Sequence, residues 1–298
     1  MSFAGSCILT GIGGLLYKFD HHQKYVKLPE SDVMLTQLNS KVYRKKLNHL
    51  KLRIPRTSIN FFKDFFDGTS YAYPFKGVVE LFKNFGHYRV PFAGIFIVYL
   101  FMYSLVSLAY WATITPMYTA AMLFLGPLGL VIAILHTFLH TNALTMMFMR
   151  VSHLQNPLVK KIAFVTNYQE FSKTNPIKYY VPITSSYFWL FYLPKQTLKY
   201  IFGFFIFLGL MGLCAIPIVG PFAYSLVISP FISKVYISKL LRLKGLSEKQ
   251  RYDRFLDHLG KYTVFGIFAG LLETIPGISG IALSTNTVAA TLWGMNEF

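Results

Sequence analysis

The sequence predicts an all-α integral membrane protein with two long transmembrane helices, two half-penetrating helical hairpins and amphipathic helices at the membrane interface. Three observations support this fold class. Of the 298 residues 54% are hydrophobic and the mean hydropathy is +0.44, which is too apolar for a soluble domain of this size. Long stretches of the chain carry almost no charge, and Pro/Gly motifs interrupt them. The formal net charge is nevertheless +17, so the polar segments are strongly basic.

The charge balance indicates the partners of the chain. Basic segments beside apolar ones suit the anionic headgroups of a membrane, so membrane lipids are the predicted partners. Nucleic acid is the other class of partner for a basic chain, but no recognisable nucleic-acid module accompanies the basic runs, and none is predicted to bind. Cys7 and Cys214 are far apart in sequence and lie in apolar surroundings, which excludes a disulfide framework.

Residues 1–89 form a basic N-terminal region that is cytosolic or interfacial. Within it, KVYRKKLNHLKLRIPR has seven basic residues and no acidic one, which predicts a patch on the membrane surface. The patch consists of Lys41, Arg44, Lys45, Lys46, Lys51, Arg53 and Arg56. A solvated basic linker is the alternative. The segments INFFKDFF and YPFKGVVELFKNFGHYRVP follow, and their apolar spacing predicts short amphipathic helices in the interface.

The membrane domain, residues 90–298, begins with a stretch from Val90 to Met149 that lacks Asp, Glu, Lys and Arg. At about 20 residues per crossing, this length accommodates two transmembrane helices, predicted at 90–113 and 117–149. The break is placed at TITPM, because a proline disfavours helix at the residue before it. The GPLG motif further along is expected to interrupt the second helix. Both ends of the pair then lie on one side of the membrane.

Two further apolar stretches, about 200–233 and 262–296, are too long for one crossing and too short for two. Splitting each at its Pro/Gly motif leaves halves of roughly 13 to 17 residues, or about 20 to 25 Å of helix against about 30 Å of hydrocarbon. Re-entrant hairpins fit these lengths. The residues at the predicted tips are Glu273, Pro276, Gly277, Gly280, Pro217, Gly220 and Pro221.

The charges outside the membrane support the same arrangement. The segments 150–199 and 234–261 are strongly basic, and basic loops tend to stay in the cytosol. A single crossing at 200–233 would carry the second of these loops across the membrane. Hairpins instead keep both loops and both termini on the cytosolic face, so cytosolic loops are predicted at 150–199 and 234–261.

Glu273 is the one charged residue in the last apolar stretch, and an intramembrane carboxylate is by default a functional-site hypothesis. In a structural role, its carboxylate accepts hydrogen bonds from the free N–H groups that open the next half-helix, near Ser279 and Gly280. Alternatively, desolvation protonates it and it donates to a neighbouring helix, or it lines a solute or proton path. We expect the structural role, because the sequence shows no second buried acid or base.

His136 and His140 lie one helical turn apart, a spacing that also occurs in metal sites. The chain has only eight histidines, too few for the several histidine boxes of a di-iron enzyme, so we predict no metal and no cofactor. The pair is expected to hydrogen-bond between membrane helices. Asn286, Thr287 and Trp293 have the same predicted role in helix packing, which leaves a homo-oligomer open. GISG lacks the final glycine of a nucleophile elbow, so a serine hydrolase is not expected.

Three of these segments together resemble a known family. YPFKGVVELF, LLRLKGLSEKQ and above all FGIFAGLLETIPGISGIALSTNTVAATLWGMNEF are similar to the fungal outer-spore-wall assembly and lipid-droplet membrane proteins. These belong to a wider group with the etoposide-induced membrane proteins and the bacterial sulfate permease CysZ. The resemblance covers roughly residues 70–298. It departs from the usual pattern at VAATLW, where a Gly-Ala-Ala-Leu-Trp run is more familiar.

The resemblance implies a non-catalytic, multi-pass protein of lipid droplets, the endoplasmic reticulum or the prospore membrane that helps to assemble the outer spore wall. The wider group implies long membrane helices combined with half-penetrating helix pairs. It also leaves open a CysZ-like transporter or channel for a small anion such as sulfate, which half-helix N-termini would bind through backbone N–H groups. A lipid-modifying enzyme that uses His136 and His140 is the third hypothesis.

Overall fold

The computed structural model describes residues 25–27, 53, 55–67, 69–152, 154–166, 178–246 and 248–297. Within these residues the fold is helical apart from two three-residue strands, which confirms the predicted helical class. Strand β1 (Tyr25–Lys27) pairs in parallel with β2 (Lys178–Tyr180), with Val26 opposite Tyr179.

The helices have the following bounds. Helix α1 covers 55–66, α2 Ala72–Lys83, α3 Phe85–Met122, α4 Pro127–Ser152 and α5 Asn156–Val165. After β2, a π-helical turn (Phe188–Tyr192) leads into α6 (Leu193–Cys214), and α7 covers Val219–Leu243. The last three helices are α8 (Glu248–Asp257), α9 (Leu259–Thr274) and α10 (Ser279–Asn296).

Three segments of the described chain are long and apolar enough to cross a membrane. They are Phe85–Leu125, Pro127–Arg150 and Phe188–Cys214. The first two lie where the sequence predicts transmembrane helices. The third lies where it predicts half of a re-entrant hairpin.

The predicted break between the first two spans, at Pro116, is wrong. Helix α3 continues through this proline to Met122. Prolines are tolerated in membrane helices because nearby hydroxyl groups and neighbouring helices satisfy the backbone groups that the ring disturbs. Thr113 and Thr115 flank the proline and donate to the carbonyl oxygens of Ala109 at 2.7 Å and Tyr110 at 3.3 Å, whereas the carbonyl that loses its helical partner at Pro116 is that of Ala112.

The chain reverses at the GPLG motif instead. A short 3-10 turn, Leu123–Leu125, ends at Gly126, whose φ is 64°. Pro127 is then the first residue of α4, a position where its missing N–H has no consequence and its fixed φ suits the helix. The boundaries at 113 and 117 therefore move to 122 and 127.

The α6–α7 hairpin has longer helices than the sequence predicts. α6 has 22 residues and α7 has 25, or about 33 and 38 Å of helix. Both helices continue beyond the apolar stretch 200–233 into the basic segments on either side. The halves are therefore not limited to the 13 to 17 residues that lack charge.

Helix α10 lies at the centre of the bundle. Fifteen of its 18 residues are buried, and α2, α3, α5, α7 and α9 pack around it. Its many small residues allow these helices to approach closely. At its C-terminal end, the Trp293 ring packs against the rings of Tyr262 and Phe265, each with a centroid distance of 5.1 Å. We call the α9–α10 pair the enclosed hairpin because protein surrounds α10; Leu271 of α9 and Ile275 and Ile278 of the turn are exposed.

Candidate functional site

A buried ion pair joins α4 to the end of α9. Glu273 lies in the last turn of α9, and its side chain has no exposed area. Arg150, near the end of α4, forms a salt bridge with this carboxylate, and its Nε donates to Oε2 at 2.9 Å. A second N–H of the guanidinium donates to the same oxygen. A charge removed from water in this way is stable only when it is paired and hydrogen-bonded.

Two more donors complete the surroundings of the Glu273 carboxylate. Tyr236 of α7 donates its hydroxyl hydrogen to Oε1. The side-chain amide of Asn286 donates to Oε1 at 2.6 Å and to the carbonyl oxygen of Ala269 at 3.0 Å. Bonds to an ionised acceptor are roughly twice as strong as neutral ones. We call these four side chains, Arg150, Tyr236, Glu273 and Asn286, the charge clamp; it ties together α4, α7, α9 and α10.

A second set of bonds holds the turn between α9 and α10. Asn142 of α4 donates to the carbonyl oxygens of Glu273 and Thr274, at 2.9 and 3.0 Å. Tyr99 of α3 donates to Oδ1 of Asn142 at 3.0 Å and accepts from the backbone N–H of Gly277 at 3.3 Å. These contacts satisfy carbonyl groups that the end of a helix leaves without partners.

The structure changes the expected role of Glu273. Its carboxylate accepts from three side chains, and the N–H of Ser279 donates to the carbonyl oxygen of Ile275 at 3.1 Å. The expectation of no second buried base is wrong, because Arg150 is only 7% exposed. The sequence position of Arg150 could have indicated its burial. Arg150 directly follows the charge-free stretch and lies on the same helical face as Asn142 and the buried Met146.

The remaining predicted residues of the α9–α10 tip lie in or beside the turn. Pro276 and Gly277 separate the two helices, and Gly277 has a φ of 82°, a conformation that favours glycine. Gly280 lies in the first turn of α10. A Cβ atom there would be only 2.6 Å from the ring of Tyr99, so glycine allows α3 to approach this turn.

The predicted residues of the other tip lie where α6 meets α7. Pro217 is in the turn, while Gly220 and Pro221 are buried in the first turn of α7. Apolar side chains at this tip are exposed, with Val219 at 64% and Ile216 at 48%. The charge clamp has no counterpart among the residues described here, since 200–233 contains no charged residue.

The predicted packing residues have different surroundings. Asn286 belongs to the charge clamp, and Thr287 donates to the carbonyl oxygen of Leu283 at 2.7 Å within α10. Trp293 lies in the core. His140 has the expected interhelical bond, since its Nδ1 lies 2.6 Å from the Tyr110 hydroxyl, but neither ring nitrogen of His136 has a partner among the described residues.

The predicted basic patch lies mostly outside the described residues, since Lys41, Arg44, Lys45, Lys46 and Lys51 fall in the gap between residues 27 and 53. Arg53 faces protein: it forms ion pairs with Asp253 and Asp257 of α8 and donates to the Asp253 carbonyl oxygen at 3.0 Å. Arg56 is exposed. A role of this patch at a membrane surface stays a prediction. Within the described part of the chain, no group of three or more His, Cys, Asp and Glu could hold a metal ion.

The fold and the charge clamp define a class: a helical protein whose described residues contain three candidate membrane-spanning helices and an ion-paired helical hairpin. The chain is 44% identical over 298 residues to Outer spore wall protein LDS1 of Saccharomyces cerevisiae, an alignment that covers 100% of this chain and 92% of the relative. It is 28% identical over 270 residues to Outer spore wall protein RRT8 of the same organism, covering 82% of this chain and 77% of that one. The chain therefore belongs to this family of outer spore wall proteins.

Two other comparisons found nothing. No family model matches the chain, and no solved structure matches it. Membership of the wider group with the etoposide-induced proteins and CysZ stays a prediction.

Proposed function

We propose that the protein is a non-catalytic, multi-pass membrane protein that works in outer-spore-wall assembly from lipid droplets, the endoplasmic reticulum and the prospore membrane. One observation carries the proposal: 44% identity along the whole chain to a protein named as an outer spore wall protein. The three candidate spans support the membrane location. The charge clamp supports a structural role, because Arg150, Tyr236 and Asn286 all donate to Glu273 and so join four helices.

The lengths of α9 and α10 support a re-entrant hairpin. With 16 and 18 residues they extend about 24 and 27 Å, less than the roughly 30 Å of the hydrocarbon layer. Their turn is held by Tyr99 and Asn142, which lie well inside α3 and α4 and not at their ends. The hairpin therefore ends beside the middle of the longer α3–α4 pair.

An arrangement of hairpins also suits a lipid droplet. A droplet is bounded by a monolayer over neutral oil, so a resident protein has no aqueous compartment for a polar domain on the far side. The turn Leu123–Gly126 between α3 and α4 contains no charged residue and can lie in oil or in a far headgroup layer. All basic segments then face the cytosol.

Functional replacement tests the proposal. Saccharomyces cerevisiae cells that lack both LDS1 and RRT8 would be sporulated with this chain or with an empty vector, and the permeability of the spore wall to a dye would be measured. We expect this chain to restore the barrier and a fluorescent tag to locate it on droplets and the prospore membrane. A correctly located protein that leaves the wall permeable contradicts the proposal.

Glycosylation mapping tests the topology. Acceptor sites in short spacers near Lys160, near Lys244 and after α10 should all stay unmodified in microsomes, and a site at the α3–α4 turn should be modified. A spacer in the α6–α7 turn separates full crossings of these two helices, which expose it to the lumen, from a re-entrant hairpin, which does not. Modification near Lys244 would refute cytosolic loops.

Flux measurements test the transporter alternative. Liposomes that contain the purified protein should show no uptake of sulfate above protein-free liposomes. Saturable sulfate uptake that disappears in an Arg150→Met variant would replace the structural role with transport.

A further inference from the structure

We propose that the α3–α4 hairpin holds a binding site for the uncharged oxygen group of a lipid, an ester carbonyl or a hydroxyl, formed by His136, His140 and Tyr118. The inference rests on the proposed membrane insertion of this hairpin. It starts from an unusual group of polar atoms that the described protein leaves unsatisfied.

The three side chains lie close together inside the hairpin. The His136 ring stacks on the Tyr118 ring with centroids 4.6 Å apart, and it lies 5.2 Å from the His140 ring. His136 is 1% exposed and His140 is 5% exposed. The hydroxyl of Tyr110 fixes His140 through its Nδ1. The site is therefore preorganised by aromatic contacts and one hydrogen bond.

Four buried polar atoms at this place have no hydrogen-bond partner among the described residues. They are Nδ1 and Nε2 of His136, Nε2 of His140 and the hydroxyl oxygen of Tyr118. Neighbouring hydroxyl groups do not supply one, because Thr115 and Thr137 bond to each other at 3.3 Å and to backbone carbonyl groups. Buried polar groups are normally satisfied, so four unsatisfied atoms in one place call for a partner.

Depth excludes bulk water as the ordinary partner. His136 and His140 are nine and thirteen residues beyond Pro127, or about 14 and 20 Å along α4. In a hairpin that spans about 30 Å of hydrocarbon, these positions lie near the middle. The molecules that surround them there are lipids, so a polar group brought by a lipid can supply a partner for these atoms.

The chemistry of the side chains selects the ligand. A neutral imidazole carries one N–H donor and one acceptor nitrogen, and the tyrosine hydroxyl can donate or accept. An ester carbonyl can accept hydrogen bonds from two of these donors, and a sterol hydroxyl can accept from one donor and donate to the acceptor nitrogen of His136. A charged headgroup does not match, because no Asp, Glu, Lys or Arg occurs between Val90 and Met149 to neutralise it.

The lipid-facing side of the hairpin gives access to the site. Tyr118 is only partly buried and follows Met117, which is 75% exposed. Leu135, next to His136, is 50% exposed. Displacement of the Tyr118 ring from its stack on His136 would open the imidazole toward the surrounding lipid.

Photocrosslinking of the full chain in isolated droplets and microsomes tests this site. Two diazirine probes would be used, an acylglycerol and a sterol, and labelled peptides would be mapped by mass spectrometry. We expect one of them to label residues 110–140. His136→Leu should reduce this labelling about tenfold, which corresponds to about 1.4 kcal/mol of binding free energy, and Tyr118→Phe should reduce it severalfold. The probe that labels identifies the source of the oxygen group.

A control substitution of another histidine distinguishes loss of the binding site from a general effect of removing a histidine. His87→Leu replaces an exposed histidine at the start of α3 and should leave labelling unchanged. The proposed site would be overturned if neither probe labelled residues 110–140, or if His136→Leu were labelled as strongly as the parent protein. If His136→Leu does not fold, Tyr118→Phe decides by the same criterion. Resistance to alkaline extraction, measured in the same samples, reports membrane insertion. Protein that is not inserted contradicts the proposed function. Inserted protein that is not labelled contradicts the lipid site.

Discussion

The hairpins α6–α7 and α9–α10 have similar tips in sequence, but one helix of each, α6 and α10, has opposite surroundings in the structure. Each interrupts an apolar stretch with proline and glycine. α10 is buried almost throughout, whereas α6 exposes large side chains such as Leu198 (69%), Phe202 (66%) and Phe205 (65%). The Pro/Gly motif thus indicates a turn but not what surrounds the helices. The other residues do: Ser, Thr, Ala and Gly in α10 admit neighbouring helices, while Phe and Leu in α6 face outward.

Loss of the α4 charge that pairs with the enclosed hairpin should have the largest effect. Arg150→Met leaves the Glu273 carboxylate buried without its cation, so we expect the free energy of unfolding to fall by about 3–5 kcal/mol. Thermal unfolding in nanodiscs measures the change. Arg56→Met, which removes an exposed arginine, is the control and should change little.

A double variant separates the charge from the packing. Arg150→Met combined with Glu273→Gln removes both charges and should be more stable than Arg150→Met alone, because no unpaired charge remains. An Arg150→Met protein as stable as the parent would mean that the charge clamp does not hold the hairpin.

A pair of glycine substitutions compares the two hairpins directly. Gly280→Ala pushes a methyl group against Tyr99 and should lower the free energy of unfolding by about 1–3 kcal/mol. Gly209→Ala in α6 meets no atom within 4 Å and should raise it by up to about 1 kcal/mol, because alanine favours helix. Shifts of the same sign in the unfolding temperatures of the two variants would contradict the contrast between the hairpins.

The hydroxyl of Tyr99 should contribute less. Tyr99→Phe removes the donor to Asn142 and the acceptor for the N–H of Gly277, and we expect a loss of about 1 kcal/mol. Tyr103→Phe, one turn further along α3 at a partly exposed position, serves as the comparison and should stay within about 0.5 kcal/mol of the parent. Hydrogen exchange at the N–H of Gly277 should quicken only in Tyr99→Phe.

The smallest effect is expected at the base of the enclosed hairpin, where Lys261 pairs with Asp67 at 3.3 Å and with Glu297 at 3.1 Å. Burial opposes the charge of this lysine, but the two carboxylates outweigh burial and raise its pKa. The stabilisation is therefore complete below the unfolded pKa of about 10.4 and is lost as the pH rises through the higher folded pKa.

Lys261→Met should accordingly lower the free energy of unfolding by at most about 1 kcal/mol at pH 7 and remove part of its decline above pH 10. Unfolding curves recorded from pH 7 to pH 11 measure both effects. Lys63→Met, at an exposed position of α1, should leave the pH dependence as it is. An unchanged high-pH decline in Lys261→Met would show that these ion pairs contribute nothing.

Sequence reasoning recovered what depends on composition and local motifs. Hydropathy and length located α3 and α4, and the Pro-Gly pair located the turn at Pro276 and Gly277, because these features act over a few neighbouring residues. The break at Pro116 was misplaced for the same local reason. The preference against helix before a proline holds for a helix in water, whereas packing between α3 and α4 overrides it in this hairpin.

The charge clamp could not be predicted in the same way. Arg150 and Glu273 are 123 residues apart, and their contact depends on how α4 packs against α9. A count of charges per segment assigned Arg150 to the cytosolic loop 150–199, because such a count treats every cation outside an apolar stretch as exposed to solvent. The enclosure of α10 was equally hidden, since Ser, Thr and Asn lower the hydropathy of the most buried helix of the bundle.

The central position of α10 also sets a sequence of events during synthesis. A ribosome makes α10 after α2, α3, α5, α7 and α9, the helices that pack around it. Until α10 emerges, these helices have no partner for the faces that later enclose it, and Glu273 lacks the amide of Asn286. Closure of the bundle must therefore wait until translation has passed Asn296, which makes the final helix the last step of folding.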